Sequence, residues 1–207
     1  MLIQAQVGPA VSSTSLGVGT QPNLRLDNIG GLTATQLNPR YYESTYRRNT
    51  YTVANQTGVT TSAALTTTYV GLCLANPTTS TVNVVITKVG YAFSVAFAAA
   101  SNIGIMTGTG ATISTNLVTA RNRFVGGVGA QCLASTSLTL PGTPVLETIL
   151  AAATTAAITT APNGVGNIVD LEGSLILPPG AFAAIYTSTA SGASAFQGSF
   201  QWTEVPI

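Results

Sequence analysis

The 207-residue chain contains no histidine and very few charged residues: seven Lys and Arg, six Asp and Glu, together 6% of the sequence. Soluble domains usually carry about 25% charged residues. Without imidazole the chain lacks the usual general base and the commonest metal ligand, which argues against most hydrolase and metalloenzyme chemistries. The formal net charge of +1 provides no excess of cations to neutralise phosphates. We therefore predict a protein that is not an enzyme, uses no cofactor or metal, and does not bind nucleic acid.

Export and membrane signals are also missing from the sequence. The first residues lack the basic and apolar regions of a secretory signal. The longest apolar runs, Val89 to Ala100 and Val145 to Ala161, are interrupted by polar residues and fall short of the roughly 20 apolar residues of a membrane-spanning helix. Cys73 and Cys132 could pair, but two cysteines in a chain without a signal are more often free thiols in the core. We expect no membrane association and two reduced, buried cysteines.

The residues that are abundant favour β-structure. The chain has 33 Thr, 28 Ala and 21 Gly, a bias towards the β-branched and small residues that suit pleated sheets and tight turns. Its 45% hydrophobic content and mean hydropathy of +0.40 contradict intrinsic disorder. A surface with so little charge has little protection against association. We therefore expect obligate assembly with other chains.

Residues 1–48 differ from the rest of the sequence. They are rich in Gly and Pro, show little periodicity, and hold six of the thirteen charged residues. This pattern predicts an extended N-terminal arm that lies across a neighbour. Tyr and Arg are the residues that most often anchor interfaces. The predicted anchors are Arg40, Tyr41, Tyr42, Tyr46, Arg47 and Arg48; a solvated hinge is the alternative for this run.

Residues 49–207 show short apolar runs separated by turn residues, which predicts an all-β body. The predicted strands are Thr68 to Ala75, Val82 to Phe97, Ile103 to Thr107, Ala111 to Arg121, Gln131 to Leu140, Val145 to Ala152, Ile168 to Leu177, Ala181 to Thr189 and Ala195 to Val205. Helix competes between Leu146 and Ala161, where alanine is frequent. The pattern favours an antiparallel β-sandwich that resembles a jelly roll, with an immunoglobulin-like sandwich as the alternative.

Two details of these strands can be tested against a structure. In the last strand, Phe196, Phe200 and Trp202 alternate and should face the core, with Gly198 where that face is tight. In Val82 to Phe97, a bulge or bend is expected at Gly90. Upstream of that glycine, strict alternation places Lys88 on the same face as Val84 and Ile86, and Val89 on the other face.

Four charged residues form complementary pairs by spacing. Asp170 and Glu172 are two apart on one predicted strand, and Arg121 and Arg123 show the same spacing near the end of another. Such carboxylates could serve acid–base chemistry or bind calcium, but no other acidic residue lies near them in sequence. We favour charge pairs between strands or between subunits. Glu147 and Glu204, near strand ends, are expected at the surface.

Four short motifs carry a resemblance to a known group of proteins. They are Leu37 to Glu43 (LNPRYYE), Leu140 to Leu146 (LPGTPVL), Gly173 to Thr187 (GSLILPPGAFAAIYT) and Gly198 to Pro206 (GSFQWTEVP). Together they resemble small virion structural proteins of tailed bacteriophages, in particular head cement or decoration proteins. The likeness extends from about residue 30 to the C-terminus.

The resemblance implies a function without catalytic residues. Cement proteins bind the exterior of the phage head, often as trimers with a β-sandwich body and an arm over the lattice. It implies the major capsid protein and further copies of the chain as partners, and synthesis in the host cytoplasm before assembly into the virion. A tail or head-fibre protein that attaches to a glycan or a host surface is the alternative, because such proteins have similar β-rich sequences.

Overall fold

The computed structural model describes residues 39–95, 97, 99–110, 112–153 and 166–207. Most of the predicted arm therefore lies outside the described residues, as do residues 154–161 of the stretch where helix and strand competed. The chain divides into two compact units, Met1–Tyr42 and Glu43–Ile207, so the division falls six residues before the predicted boundary at residue 48.

The described residues form one short helix and eleven strands. The elements are α1 (Tyr42–Tyr46), β1 (Thr50–Ala54), β2 (Thr68–Ala75), β3 (Val82–Phe93), β4 (Ser101–Thr109), β5 (Leu117–Val118), β6 (Arg121–Asn122), β7 (Leu133–Thr139), β8 (Val145–Ala153), β9 (Gly166–Leu177), β10 (Ala181–Thr187) and β11 (Phe196–Pro206). The all-β prediction is confirmed. The long strand predicted from Ala111 to Arg121 is wrong, because only the two-residue strands β5 and β6 form there.

The strands build two antiparallel sheets that pack face to face. The first sheet has the order β6-β1-β11-β3-β9, and the second has the order β5-β7-β2-β10-β4-β8. Without β5, β6 and β7, eight strands remain in the orders β1-β11-β3-β9 and β2-β10-β4-β8. Every connection between successive strands crosses between the sheets except that from β4 to β8, as in a jelly roll. This order decides for the jelly roll over the immunoglobulin-like alternative. The segment from β5 to β7 is an insertion that extends both sheets at the side of β1 and β2.

The main core lies between the sheets and is centred on β11. Phe196, Phe200 and Trp202 are at most 1% exposed, so the predicted inward face of this strand is confirmed. Tyr51 of β1 stacks on Trp202 with ring centroids 5.9 Å apart. A Cβ atom at Gly198 would lie 2.6 Å from Ile185 Cδ1, which shows how closely the two sheets approach at this point.

A second, smaller core lies on the outer face of the second sheet. Tyr69, Met106 and Phe182 are buried there, and Ile113 packs on them from the chain that follows β4. Ser135 fastens this covering segment by donating a hydrogen bond from Oγ to the carbonyl oxygen of Thr115, at 2.7 Å. Because this face is covered by the chain itself, the exposed surfaces of interest are the outer face of the first sheet and the two sides of the sandwich.

The bulge predicted at Gly90 occurs three residues earlier. The pairing of β3 with β11 shifts between Gln201 and Trp202, which leaves Thr87 as the extra residue on β3. A bulge moves the following side chains to the opposite face. The prediction that Lys88 shares the face of Ile86 is therefore wrong, since Lys88 lies on the outer face while Val89 is fully buried.

Candidate interaction surfaces

The predicted anchor residues form a turn and a short helix where extended chain was expected. Tyr42 donates its backbone N–H to Pro39 O at 2.8 Å, and α1 begins at this turn. The helix ends at Tyr46. Two residues later, Arg48 has a left-handed φ of 64° and donates its N–H to Thr45 O. Local hydrogen bonding thus gives residues 39–48 a turn and a short helix, while the rest of the predicted arm lies outside the described residues.

The anchors fall into two groups along this segment. In Met1–Tyr42, the Arg40 guanidinium lies over the Tyr41 ring, 5.4 Å from its centroid, and Tyr42 is exposed. In Glu43–Ile207, Tyr46, Arg47 and Arg48 are exposed. Tyrosine and arginine are frequent among interface anchors, and the role of these residues as anchors stays a prediction.

Arg48 belongs to a cluster on the β6 side of the sandwich that the sequence did not reveal. Its guanidinium lies 4.9 Å from the centroid of the Phe124 ring. Asn122 holds the cluster together: Nδ2 donates to Arg48 O at 2.7 Å and to Val128 O at 3.2 Å, and Oδ1 accepts from Phe124 N at 2.9 Å. The half-buried Asn122 amide thus joins Arg48, just after α1, to the loop that follows β6.

This loop presents apolar side chains on a defined turn. Gly127 donates to Phe124 O at 2.8 Å, and Gly126, with φ 85°, occupies a position that only glycine readily adopts. Val125 is 93% exposed at the tip of the turn. We define the basic edge as the exposed residues Arg48, Arg121, Arg123, Phe124, Val125 and Val128.

The opposite side of the sandwich is formed by β8 and β9. Both strands are sheet edges, and both place partly buried side chains such as Leu150 and Leu171 against the main core. Their outward positions carry acidic and large apolar residues. We define the acidic edge as the exposed residues Val145, Glu147, Ile149, Ile168, Asp170, Glu172 and Ile176.

The structure separates the residues that the sequence suggested as charge pairs. Arg121 lies on β6 and Asp170 on β9, the two outermost strands of the first sheet. Four inter-strand spacings of about 4.8 Å place these strands roughly 19 Å apart. Pairing of Arg121 and Arg123 with Asp170 and Glu172 between strands of one chain is therefore wrong, and pairing between subunits stays a prediction.

Within the chain, Asp170 pairs with the lysine that the Thr87 bulge moves to the outer face. Lys88 Nζ lies 3.8 Å from Asp170 Oδ2, with both side chains 34% exposed. Asp170 Oδ1 also accepts the backbone N–H of Glu172 at 2.9 Å. Glu172 and Gly173 have φ values of 54° and 82°, so the strand leaves regular geometry here. Asp170 and Glu172 therefore do not lie on a regular stretch of strand, although their spacing on one predicted strand suggested this.

Glu204, which was expected at the surface, is buried at 6% exposure. One of its oxygens accepts from Gln131 N at 2.9 Å and from Cys132 N at 3.0 Å. Trp202 Nε1 donates to the same oxygen at 3.3 Å. The carboxyl group thus accepts the hydrogen bonds of two backbone N–H groups in the chain that leads into β7. The missed signal is the alternation of β11, which places residue 204 on the inward row with residues 200 and 202.

Both cysteines are free and buried, as predicted. Cys73 lies in the core on the outer face of the second sheet, and Cys132 lies in the main core. Burial raises the pKa of both thiols, and the charge of Glu204 raises the pKa of Cys132 further. Neither thiol is therefore suited to nucleophilic chemistry, which needs the thiolate.

These raised pKa values predict a loss of stability in mild alkali. A thiol of the unfolded chain ionises near pH 8.5, whereas in the folded chain it stays protonated to higher pH. The contribution of the buried thiols to the free energy of unfolding is therefore complete below about pH 8.5. Above that pH it declines by up to about 1.4 kcal/mol per pH unit for each thiol. The free energy of unfolding can be measured with urea under reducing conditions. Between pH 8 and 9.5, it should fall with pH about half as steeply for Cys73→Ala as for the wild type. Equal slopes would contradict this reading.

A shallow cleft of about 650 Å³ lies on the outer face of the first sheet. Its lining includes Gly90, Asn167, Gln197 and Ser199 and contains no charged residue. Gly90 forms the floor, since a Cβ there would lie 2.4 Å from Ser199 Oγ. The cleft could accept a neutral, hydroxyl-rich ligand, although Tyr91, the aromatic residue in its lining, is only 6% exposed.

Other chemistries find little support in the part of the chain that the structure describes. There, no three His, Cys, Asp or Glu side chains come close enough together to hold a metal ion. No helix among these residues has the length and apolar character needed to cross a membrane. No protein-family model, curated protein or solved structure matches the chain significantly.

Proposed function

We propose that this chain is a capsid decoration protein of a tailed bacteriophage. It binds the exterior of the phage head as a homo-oligomer, with three copies as the number that the sequence resemblance implies. There it bridges neighbouring capsomers of the major capsid protein and stabilises the head lattice. The chain is made in the host cytoplasm and acts in the virion, without catalysis or a cofactor.

The observation that supports this proposal most is the character of the two sides of the jelly roll. Large apolar side chains such as Val125 and Ile168 are 93% and 70% exposed there, beside arginines on one side and carboxylates on the other. Exposed apolar patches of this kind mark surfaces that bind other proteins. A body that offers such surfaces on two sides is suited to a lattice, in which each copy has several neighbours.

The segment up to Arg48 provides the contact with the capsomers in this proposal. Its described part includes the exposed residues Arg40 and Tyr42 in Met1–Tyr42 and the exposed residues Tyr46 and Arg47 in Glu43–Ile207. Ordering a long segment costs about 1–2 kcal/mol per residue, so it needs a large surface to bind. Many copies on one particle gain effective concentration, which allows each contact to be weak.

Binding to expanded heads that lack the protein tests the proposal. The full chain should sediment with the heads in hundreds of copies and raise the temperature at which they open. The full-length variant Tyr41→Ser with Tyr42→Ser should bind at least tenfold more weakly, while the control Leu65→Ser, another exposed apolar position, should bind normally. Absence of binding, or a handful of copies per virion, would refute the decoration role.

A tail or head-fibre protein that attaches to a glycan is the second candidate, and the uncharged cleft around Gly90 favours it. Amide and hydroxyl groups of Asn167, Gln197 and Ser199 suit the hydrogen bonding of a neutral sugar. An exposed aromatic platform for stacking, as expected of such sites, is not provided by Tyr91. A glycan array with the full chain would show selective binding if this role is the correct one.

A further inference from the structure

The near-neutral net charge conceals a separation of charge across the sandwich. Residues 43–207 contain five cations and five anions by sequence. Three of the cations, Arg48, Arg121 and Arg123, lie on the basic edge. Three of the anions lie on the acidic edge, where Lys88 is the neighbouring cation. The sandwich is therefore electrically polar from one side to the other.

The basic edge is preorganised for binding. Asn122 fixes the loop that follows β6 through three hydrogen bonds of 2.7–3.2 Å. The Arg48 guanidinium packs on Phe124, and Val125 stands at the tip of the turn. A rigid apolar centre with an arginine rim is the composition typical of interface hot spots. Apart from Arg48, which precedes β1, the residues of this edge belong to the β5–β7 insertion, outside the eight strands of the jelly roll.

The acidic edge has the complementary composition. Ile168 and Ile176 of β9 are 70% and 52% exposed, and Val145 of β8 is 62% exposed. Glu172 lies in the bulge that Asp170 holds through its bond to the Glu172 N–H. Glu147 on β8 accepts a hydrogen bond from Thr107 Oγ1 at 3.0 Å. The acidic edge thus combines exposed apolar side chains with carboxylates. The basic edge combines them with guanidinium groups.

We propose that the chain self-associates head to tail, with the basic edge of one copy bound to the acidic edge of the next. Arg121 and Arg123 then face Asp170 and Glu172 of the neighbouring copy, and the exposed apolar residues of both edges are buried between them. Because the two edges are opposite sides of one sandwich, the contact is heterologous and generates a ring where the rotation closes. The proposal specifies the self-association that the decoration role assumes, and it holds whatever surface the assembly binds.

The charges also argue against a two-fold contact through either edge. A symmetric contact between two basic edges would bring Arg48, Arg121 and Arg123 against the same residues of the partner. Like charges placed together at an interface cost several kcal/mol. Head-to-tail contact is the arrangement in which both edges meet an opposite charge.

Charge reversal with a rescue tests the proposal on the full chain. One variant carries Arg121→Glu with Arg123→Glu; the other carries Asp170→Asn with Glu172→Lys, because Asn keeps the oxygen that accepts the N–H of residue 172. Light scattering and analytical ultracentrifugation should show an assembled wild type. Each folded variant alone should have at least a tenfold higher dissociation constant. An equimolar mixture should recover assemblies that contain both chains.

Controls separate the interface from the fold and from head binding. Gln201→Glu with Thr203→Glu adds negative charge on β11, the central strand of the first sheet, and should assemble like the wild type. A monomeric wild type, unimpaired assembly of either edge variant, or a mixture of folded variants that fails to assemble would each overturn the proposal. A wild type that assembles but does not bind heads would refute the decoration role and leave this interface intact.

Discussion

Replacing Glu204 by alanine should lower the free energy of unfolding by about 3 kcal/mol or more. The carboxyl group accepts hydrogen bonds from the backbone N–H groups of Gln131 and Cys132 and from Trp202 Nε1. Alanine leaves the buried donors of Cys132 and Trp202 and the partly buried N–H of Gln131 without this acceptor, and each unsatisfied buried donor costs about 1–3 kcal/mol. Chemical denaturation followed by tryptophan fluorescence measures the effect directly, because Trp202 is the only tryptophan in the chain.

Two matched variants test the stated cause. Glu204→Gln keeps one carbonyl oxygen as an acceptor and should lose clearly less stability than Glu204→Ala. Glu147→Ala removes an exposed glutamate whose bond is to the Thr107 hydroxyl, and should change stability by about 0.5 kcal/mol or less. A loss below about 1 kcal/mol for Glu204→Ala would show that water replaces the carboxyl group without strain.

Glu204 also shows which parts of a site a sequence can predict. The alternation that placed Phe200 and Trp202 in the core applies equally to residue 204, two positions further on. The expectation of a surface glutamate followed residue type and ignored this alternation. The partners at Gln131 and Cys132 could not be predicted, because they lie about 70 residues away in sequence. They meet Glu204 only because the two sheets pack against each other.

The fold class and most strands were predictable because they depend on local patterns. Turn residues such as the Pro178-Pro179-Gly180 run separate β9 from β10 where the sequence indicates. Bulges were less predictable: the one on β3 occurs at Thr87, although glycine at residue 90 was the local signal. Its position depends on the register with β11, which is a long-range property. The extra residue at Thr87 decides whether Lys88 lies on the outer face, where it meets Asp170.

The charged residues show the same division between local and long-range information. Spacing singled out Arg121, Arg123, Asp170 and Glu172 as residues of complementary charge. It could not say that β6 and β9 are opposite edges of one sheet. The cluster of Arg48 with Phe124 had no signal in either segment alone, since the residues are 76 positions apart and meet only through the insertion that carries β6.

Replacing Gly198 by alanine should destabilise the protein by about 1–3 kcal/mol, because the sheets have no room for a methyl group there. The new Cβ would lie 2.6 Å from Ile185 Cδ1 and 3.1 Å from the Phe196 ring. Both neighbours are fully buried, so neither can move into solvent. Thermal and urea unfolding measure the loss. Gly129→Ala is the control, since nothing lies within 4 Å of a Cβ at that position.

A double-mutant cycle identifies Ile185 as the side chain that limits the space. Ile185→Val removes the Cδ1 atom and alone should cost about 0.5–1.5 kcal/mol. In that background Gly198→Ala should cost less than in the wild type, because the added methyl group occupies the volume that Cδ1 vacates. The coupling between contacting residues should reach about 0.5 kcal/mol or more. Strict additivity would mean that the close approach of the sheets at this point is set by the Phe196 ring or by the backbone.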